Sequence, residues 1–417
     1  MDDFAKARKA FYAQIEEYWA DLYGEEYSLY DLYEITKEEI HKIRESTNRI
    51  GHIFYKTASL LRTVNDETLL FLGFPRETLA YIRINSLSVE SVIARLDLIG
   101  TGRTYKCMEI NSDTPTFIKE LHHVNGLICE AFDRHNPNTG YEKQLALAVE
   151  KAVIESLEYL GGALEAPHVV FTAHGDNVED ANTAGYLRGL LPFPSSFAPL
   201  DQLQIIRHVG LFDGEGKPIH VLYRQTFPVE NFIEDEDEEG NPIGLWLLEL
   251  VEQKKVAVVN PPSAFLLQSK AVQAIIWALH EEGNPFFSEE EHQWIEEHFL
   301  PTYLEPDRFL ESRTKYVMKP AFGREGDTVK IFEGDGTVAA EDSHNSYAHY
   351  LPVYQKYVEL PTAAFQSVKG KRQGSYMFGS FLIGGKAGAV GIRIGNPITD
   401  NLSYFLPVGI TKREVGS

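Results

Sequence analysis

A small set of residues on two neighbouring stretches could do chemistry together. Arg95 and Asp97 alternate with apolar residues in Ala94-Arg95-Leu96-Asp97-Leu98, and Glu109 and Asn111 do the same in Met108-Glu109-Ile110-Asn111. Side chains alternate faces along a strand, so each polar pair shares one face. If the two strands form a hairpin about Gly100-Thr101-Gly102-Arg103, position 95 comes near 109 and both pairs look the same way. Carboxylate and amide oxygens grouped like this suit magnesium, which shares its octahedral shell with phosphate oxygens and water. A plain cross-strand salt bridge between Arg95 and Glu109 would use the same residues without chemistry. The neighbourhood favours the chemical reading: Ser112-Asp113-Thr114-Pro115-Thr116 adds hydroxyls and a helix start at the strand's end.

A second piece is Lys319-Pro320-Ala321-Phe322-Gly323-Arg324-Glu325-Gly326. Gly323 and Gly326 let a backbone loop approach phosphates closely, with amides as donors. The GxxxxGK[ST] pattern of a P-loop is absent. Lys319 ends a strand just before this loop, and Lys270 opens a helix; each could direct charge at a phosphate, and Lys270 could equally be an exposed helix lysine. Gly391-Ile392-Arg393 places a late cation where it could stabilise a transferring phosphoryl group. Histidines give no metal signature, since His122 and His123 are adjacent and one helical face cannot present both. His174 follows a strand and could line a pocket. Cys107, on the face of Glu109, reads as a small buried residue.

The elements that must position these groups are α/β. Phe11, Ile15 and Trp19 recur at helical spacing, a second helix is expected from Thr36 to Leu61, and a third from Asp66 to Leu79 with a break at Gly73-Phe74-Pro75. Ser91 to Ile99 and Tyr105 to Asn111 read as strands. Helices are expected over Thr116 to Phe132 and Gly140 to Leu160, then a strand from His168 to Thr172 and a helix from Val178 to Leu190. Strands follow at Gln204 to His208 and Ile219 to Tyr223. Lys270 to Leu279 reads as a helix, and Tyr316 to Lys319 and Val329 to Phe332 as strands around the glycine loop. The last strands are Tyr354 to Val358, Tyr376 to Ile383 and Ala387 to Ile394. The run from Glu234 to Gly240 is a dense acidic loop, whose plain reading is a solvated surface.

Composition sets bounds. The chain has 417 residues and a net charge of −22, with 61 acidic against 39 basic residues. That argues against a nucleic-acid binder, which wants a basic surface. An acidic surface chiefly favours solubility. Two cysteines, Cys107 and Cys129, make no disulfide framework and suit a reducing cytosol. No apolar run is long enough to span a membrane, and the start, Met1-Asp2-Asp3-Phe4, lacks a signal core. The expected location is cytoplasmic.

In this order the motifs resemble the synthetase half of the glutathionylspermidine synthase family, within the ATP-grasp superfamily. The resemblance runs from about Ser86 to Pro407. It rests on Arg95-x-Asp97, Glu109-x-Asn111-x-Asp113-Thr114, Lys319-Pro320 leading into Gly323-Arg324-Glu325-Gly326, then Ser269-Lys270-Ala271 and Ile392-Arg393. It implies an α/β (α+β) ATP-grasp fold. The implied parts are a helical N-terminal region over 1–85, the catalytic hairpin with its helices over 86–165, a pre-ATP-grasp-like subdomain over 166–260, and the ATP-grasp lobes over 261–417.

The resemblance also implies roles. Asp97, Glu109 and Asn111 match magnesium ligands, and Lys270 and Lys319 match lysines that hold ATP phosphates. Gln355, Tyr357 and Val358 lie in a segment that looks like the hinge strand beside adenine. Arg95 and Arg393 match arginines beside the reacting carboxylate and phosphoryl group. Thr114 and Thr116 sit where the family binds its thiol-peptide substrate, and Glu179, Asp180 and Thr226 match further substrate positions. The implied activity is ATP-dependent joining of a small-molecule or peptide carboxylate to an amine through an acyl phosphate, with a homodimer common in the superfamily. No cysteine-dependent amidase segment is expected ahead of the helical start, so amide hydrolysis is not. The stretch Ile394 to Asp400 diverges from the spermidine-making members, which leaves acid and amine open. Two other readings fit the same motifs: a ligase for a peptide or protein carboxylate, and an ATP-binding pseudoenzyme with a regulatory role.

Overall fold

A computed structural model describes residues 3–162, 166–324, 326–397 and 403–411. Its largest sheet has the strand order Tyr404–Leu406, Lys386–Gly395, Gly370–Ile383, Ile93–Gly100, Tyr105–Asn111, with Thr362–Ser367 paired beside Gly370–Ile383. The early hairpin and the late strands of the chain therefore share one sheet. The helix Lys37–Leu61 packs on it. Its N-terminus is set by a capping box, in which Thr36 accepts from the Glu39 amide and Glu39 accepts from the Thr36 amide. Its inner face buries Ile40, Ile43, Ile50, Ile53 and Phe54, each contributing about 1.5–3 kcal/mol relative to exposure.

Two smaller sheets flank this core. One is parallel, in the order Ala257–Val259, Val221–Gln225, Val169–Ala173, Ser196–Phe197. Its two central strands, Val169–Ala173 and Val221–Gln225, are buried on both faces, as parallel strands between helices are. The other is antiparallel and contains Thr302–Tyr303, Pro352–Lys356, Tyr316–Pro320, Lys330–Phe332 and Val338–Glu341. It carries Lys319 and Gln355 on neighbouring strands.

Several expectations need correction. The first helix covers only Asp3–Tyr12. Trp19 is buried all the same, at 3 % exposure, from a stretch that turns at Glu17, whose φ is 48°. The N-terminal region also holds short strands, and Tyr33–Glu34 runs parallel to Val408–Gly409. The hairpin register is displaced: Arg95 pairs with Asn111 and Asp97 with Glu109, so 95 does not face 109. The turn closes at Gly100 and Tyr105, and a bulge between Asp97 and Leu98, opposite which Met108 is the extra residue, takes up one more position. Together they shift the pairing of Arg95 and Asp97 by two positions, which keeps Glu109 and Asn111 on their expected face, whereas Cys107 pairs with Leu98 and falls on the opposite face from Glu109. The helix after Thr116 begins at 118 and contains a π turn at Glu120–Val124. The strand Gln204–Ile206 stops short of His208, whose φ is 61°. Tyr357 and Val358 lie just past the strand Pro352–Lys356.

Candidate active site

The bases of the hairpin strands are laced together before any functional group is placed. Asn260 accepts from the Val92 and Ile93 amides and donates to the carbonyls of Ile93, Ser112 and Asp113. Gln268 accepts from the Ser112 and Asp113 amides. Gln225 donates to the carbonyls of Thr114 and Pro115. A buried pair, Arg224 with Asp113, closes the end of the strand. These fixings leave the hairpin little freedom, which is what a preorganised site requires.

On the face so fixed, Arg95 lies along Asp97, with Nε at 2.7 Å from Oδ1 and a terminal nitrogen at 3.1 Å from Oδ2. Gly379 pairs across from Asp97, and a Cβ there would sit 3.3 Å from the Arg95 side chain and 3.0 Å from Phe117. A side chain there would crowd Phe117 and the flat-lying arginine. The Asn111 amide reaches Asp97 at 3.4 Å. Across the strand pair stands Glu109, with Lys270 at 3.6 Å. Enclosure by protein opposes its charge, yet Lys270, Lys319, Arg95 and Arg393 together hold its carboxyl down at about 2. It keeps 30 % of its side chain open to the cleft.

Opposite these carboxylates, Lys319 donates to Gln355 at 2.9 Å, and burial pushes its ammonium down. Lys270 donates to the Gly323 carbonyl at 2.9 Å. The loop after Lys319 turns at Gly326, whose φ of 77° no other residue adopts without strain. Arg324 from this loop donates to the Thr114 carbonyl at 3.2 Å.

One cleft gathers Asp97, Glu109, Lys270, Lys319, Gly323, Arg324, Gly326, Gln355, Tyr357 and Val358. Met108, Leu300, Leu360 and Met377 give it an apolar wall. Asn111 and Arg95 stand directly behind Asp97, and Arg393, opposite Met377 in the sheet, acts on Glu109 by its charge. Thr116 accepts from Arg95, and Thr114 from Arg324. Other residues are not brought into this cleft. Glu179 and Asp180 begin the helix Val178–Gly189, where Asn177 caps by accepting from the Asp180 amide. Thr226 lines a second cavity. Glu325 lies outside the described residues, as do Ile398 to Asp400 of the divergent tail.

The donor set suits a hard cation. Two carboxylates and an amide share one face, and Arg95 leaves Asp97 with unused lone pairs. Among the described residues no cluster of three or more His, Cys, Asp or Glu could hold a metal; a set that counts an asparagine amide is of another kind. Cys107 is fully buried, and burial pushes its thiol up, so it stays protonated.

Sequence reasoning missed the lacing residues Gln225, Asn260 and Gln268 and the Arg224–Asp113 pair. Their only signal was a polar run, Arg224-Gln225-Thr226, at the end of an apolar strand. It also missed Glu230, which is fully enclosed with neither carboxylate oxygen bonded. Burial, then the charge of Asp113, lifts that carboxyl to about 7.

Among solved structures, a glutathione synthetase-like effector from Globodera pallida in apo form is similar in fold, with a TM-score of 0.61 at 11% identity, over 98% of this chain and 96% of that one. The expected α/β architecture of ATP-grasp type is thus the one found. The sequence matches the family described as glutathionylspermidine synthase preATP-grasp over residues 5–411, nearly its whole length, and the chain belongs to that family.

Proposed function

We propose that the cleft binds ATP and that the chain is an ATP-dependent carboxylate–amine ligase working through an acyl phosphate. The observation that carries this reading is the meeting of Asp97 and Glu109 with Lys270 and Lys319 beside a glycine loop and an apolar wall. Membership of a synthase family supports it.

Lys270 and Lys319 exchange their present bonds to Gly323 and Gln355 for phosphate oxygens. Gln355 orients Lys319, and the backbone from Gly323 to Gly326, with Glu325 in it, covers the phosphates. Tyr357 and Val358, with Met108 and Leu360, border the adenine. Asp97, Glu109 and Asn111 would hold magnesium, which when bound offsets phosphate charge and orients the chain of phosphates. A carboxylate oxygen of the acid attacks the γ-phosphorus, and ADP leaves. The amine nitrogen attacks the acyl carbon and loses its proton, phosphate departs, and an amide remains. Arg95 and Arg393 offset charge on the acid and on the transferring group. Thr114 and Thr116 receive the acid. Glu179, Asp180 and Thr226 stand outside the cleft and serve as contacts for the far end of a long acid or amine. No enzyme nucleophile is needed, in keeping with the protonated Cys107 thiol. Both cysteines are free thiols, which suits work in the cytosol.

The test is phosphate release from magnesium-ATP across a matrix of acids and amines, glutathione with spermidine first, with mass spectrometry of the products. Release that needs both partners and yields a new amide mass supports the ligase. Tight ATP binding with no release from any pair would sink it in favour of a regulatory ATP-binding role.

A further inference from the structure

A cavity of about 910 Å³ opens on the other side of the hairpin's anchor, and it shares no described lining residue with the cleft. It lies at the carboxyl ends of the parallel strands Val169–Ala173 and Val221–Gln225, where sheets of this kind hold ligands. Thr172 and Arg224 are direct neighbours across these strands. His174 and Thr226 follow two residues on, and all four line the cavity.

This floor has hydrogen-bonding capacity that the protein does not use. Thr172 is fully buried and Arg224 is 3 % exposed. Neither the Thr172 hydroxyl nor the Arg224 Nε has a protein partner, and the same holds for the His174 Nε2. The remaining nitrogens of Arg224 are taken by Asp113, Thr226 and the Phe227 carbonyl. Buried polar groups left in this state call for a partner. Because Asp113 already neutralises Arg224, the floor asks for a neutral acceptor rather than an anion.

The walls and rim narrow the choice. Leu203, Ile205, Leu211, Leu222 and Leu247 form an aliphatic wall. Asp176, Asp201, Asp235, Glu236 and Asp237 stand around it. Burial lifts the Asp235 carboxyl above its usual range, so an ammonium beside it would gain more than at a solvated carboxylate. An anion would meet these carboxylates. A linear polyamine, charged along its length, would lay charge on the leucines and leave the floor's donors unmet.

We propose that this cavity binds an α-amino amide with an aliphatic side chain, the chemistry of the free amino end of a short peptide. Its ammonium sits among the acidic side chains, its side chain lies on the leucine wall, and its carbonyl accepts from Arg224 Nε and Thr172. The site stands apart from the ligase reading except at Thr226, which that reading gives to the far end of a substrate.

The experiment is calorimetric titration of the full chain, without nucleotide, using leucinamide and the tripeptide Leu-Gly-Gly as probes. Saturable binding of either supports the proposal, and the stronger of the two tells a free amide from a peptide end. N-acetyl-leucinamide, which lacks the charge, and the Asp235→Asn variant should each bind or be bound at least about tenfold more weakly. Thr172→Val, which keeps the shape and removes the hydroxyl, should weaken binding by about threefold to tenfold. Lys319→Met, in the other cleft, should leave leucinamide binding unchanged, so failure of the ligase reading would not touch this one. No binding at millimolar probe, equal affinity for the acetylated probe, or tighter binding of spermidine than of leucinamide through Asp235 would overturn it.

Discussion

Two hollows lie on either side of the Asp113–Arg224 pair, and their electrostatics are opposite. In the cleft, cations converge on Glu109 until its carboxyl stays ionised far into acid. In the second cavity, carboxylates gather and Arg224, tied to Asp113, stands against them. A chain with a net charge of −22 has thus set lysines and an arginine against carboxylates in one hollow and left the other mainly acidic. Net charge governs solubility and long-range steering, while local chemistry follows the few groups that face each other. The contrast is in keeping with the two proposals, triphosphate for the first hollow and ammonium for the second.

The sharpest way to break the comparison is to remove the anionic centre of the cleft. Glu109→Gln should lower amine-dependent phosphate release by about a thousandfold, with circular dichroism and Tm close to the parent. Near-full turnover in a folded variant would remove Glu109 from the chemistry. Next in size is the pair between the hollows. Asp113→Ala leaves the Arg224 charge buried without its partner and should cost about 3–5 kcal/mol in denaturant unfolding. The double change Asp113→Leu with Arg224→Met should recover most of that loss, because the cost is the stranded charge rather than the missing attraction.

The sequence made the cleft legible because its groups sit on regular strands. Arg95, Asp97, Glu109 and Asn111 alternate with apolar residues, and period two puts them on one face whatever even-numbered register the hairpin takes. The register itself was not readable, because it depends on a bulge between Asp97 and Leu98 that carries no local mark. Lys319 before a glycine loop was visible for a similar reason: strand, turn and charge adjoin in sequence. Asn260 and Gln268 were not, since their partners lie about 150 residues away, Asn260 to Ser112 at a separation of 148 and Gln268 to Ser112 at 156. Of the second cavity only His174 stood out, as a residue after a strand that could line a pocket, and the other contributions looked ordinary alone. The acidic loop read as solvated surface, and Thr172 read as the last residue of a strand. The first helix was overextended because Phe11, Ile15 and Trp19 keep helical spacing. Trp19 is instead buried from a turn, where tertiary packing overrides the local pattern.

Glu230 tests the same contrast through pH. It is enclosed near both hollows, and the charges of Arg324 and Lys270 fall short of offsetting its burial and Asp113. Its carboxyl titrates near 7 in the folded chain against 4.5 ordinarily, so the folded chain keeps a proton that the unfolded chain has released. Stability from this group is therefore full below pH 4.5 and falls as pH rises through 7. Glu230→Gln should remove that slope and make the variant more stable than the parent by about 3 kcal/mol above pH 8. An unchanged slope in urea unfolding would mean that Glu230 is ionised and paired.

Glu291 supplies the opposite sign and the smaller effect, at a place outside both hollows. Burial opposes its charge, but bonds from Lys56, the Ser288 amide and His52 outweigh that and hold its carboxyl at about 2. An unfolded glutamate releases its proton near 4.5, so here the unfolded chain is the one that binds protons first. The stabilisation is present above pH 4.5 and is lost as pH falls toward 2. Glu291→Gln should cost about 2 kcal/mol at pH 7 and almost nothing at pH 2. With Glu230→Gln, the two variants' stability curves should diverge in opposite directions from the parent as pH rises from 3 to 8. Curves that shift the same way would mean that burial alone, and not the arrangement of neighbouring cations, sets the carboxylates of this fold.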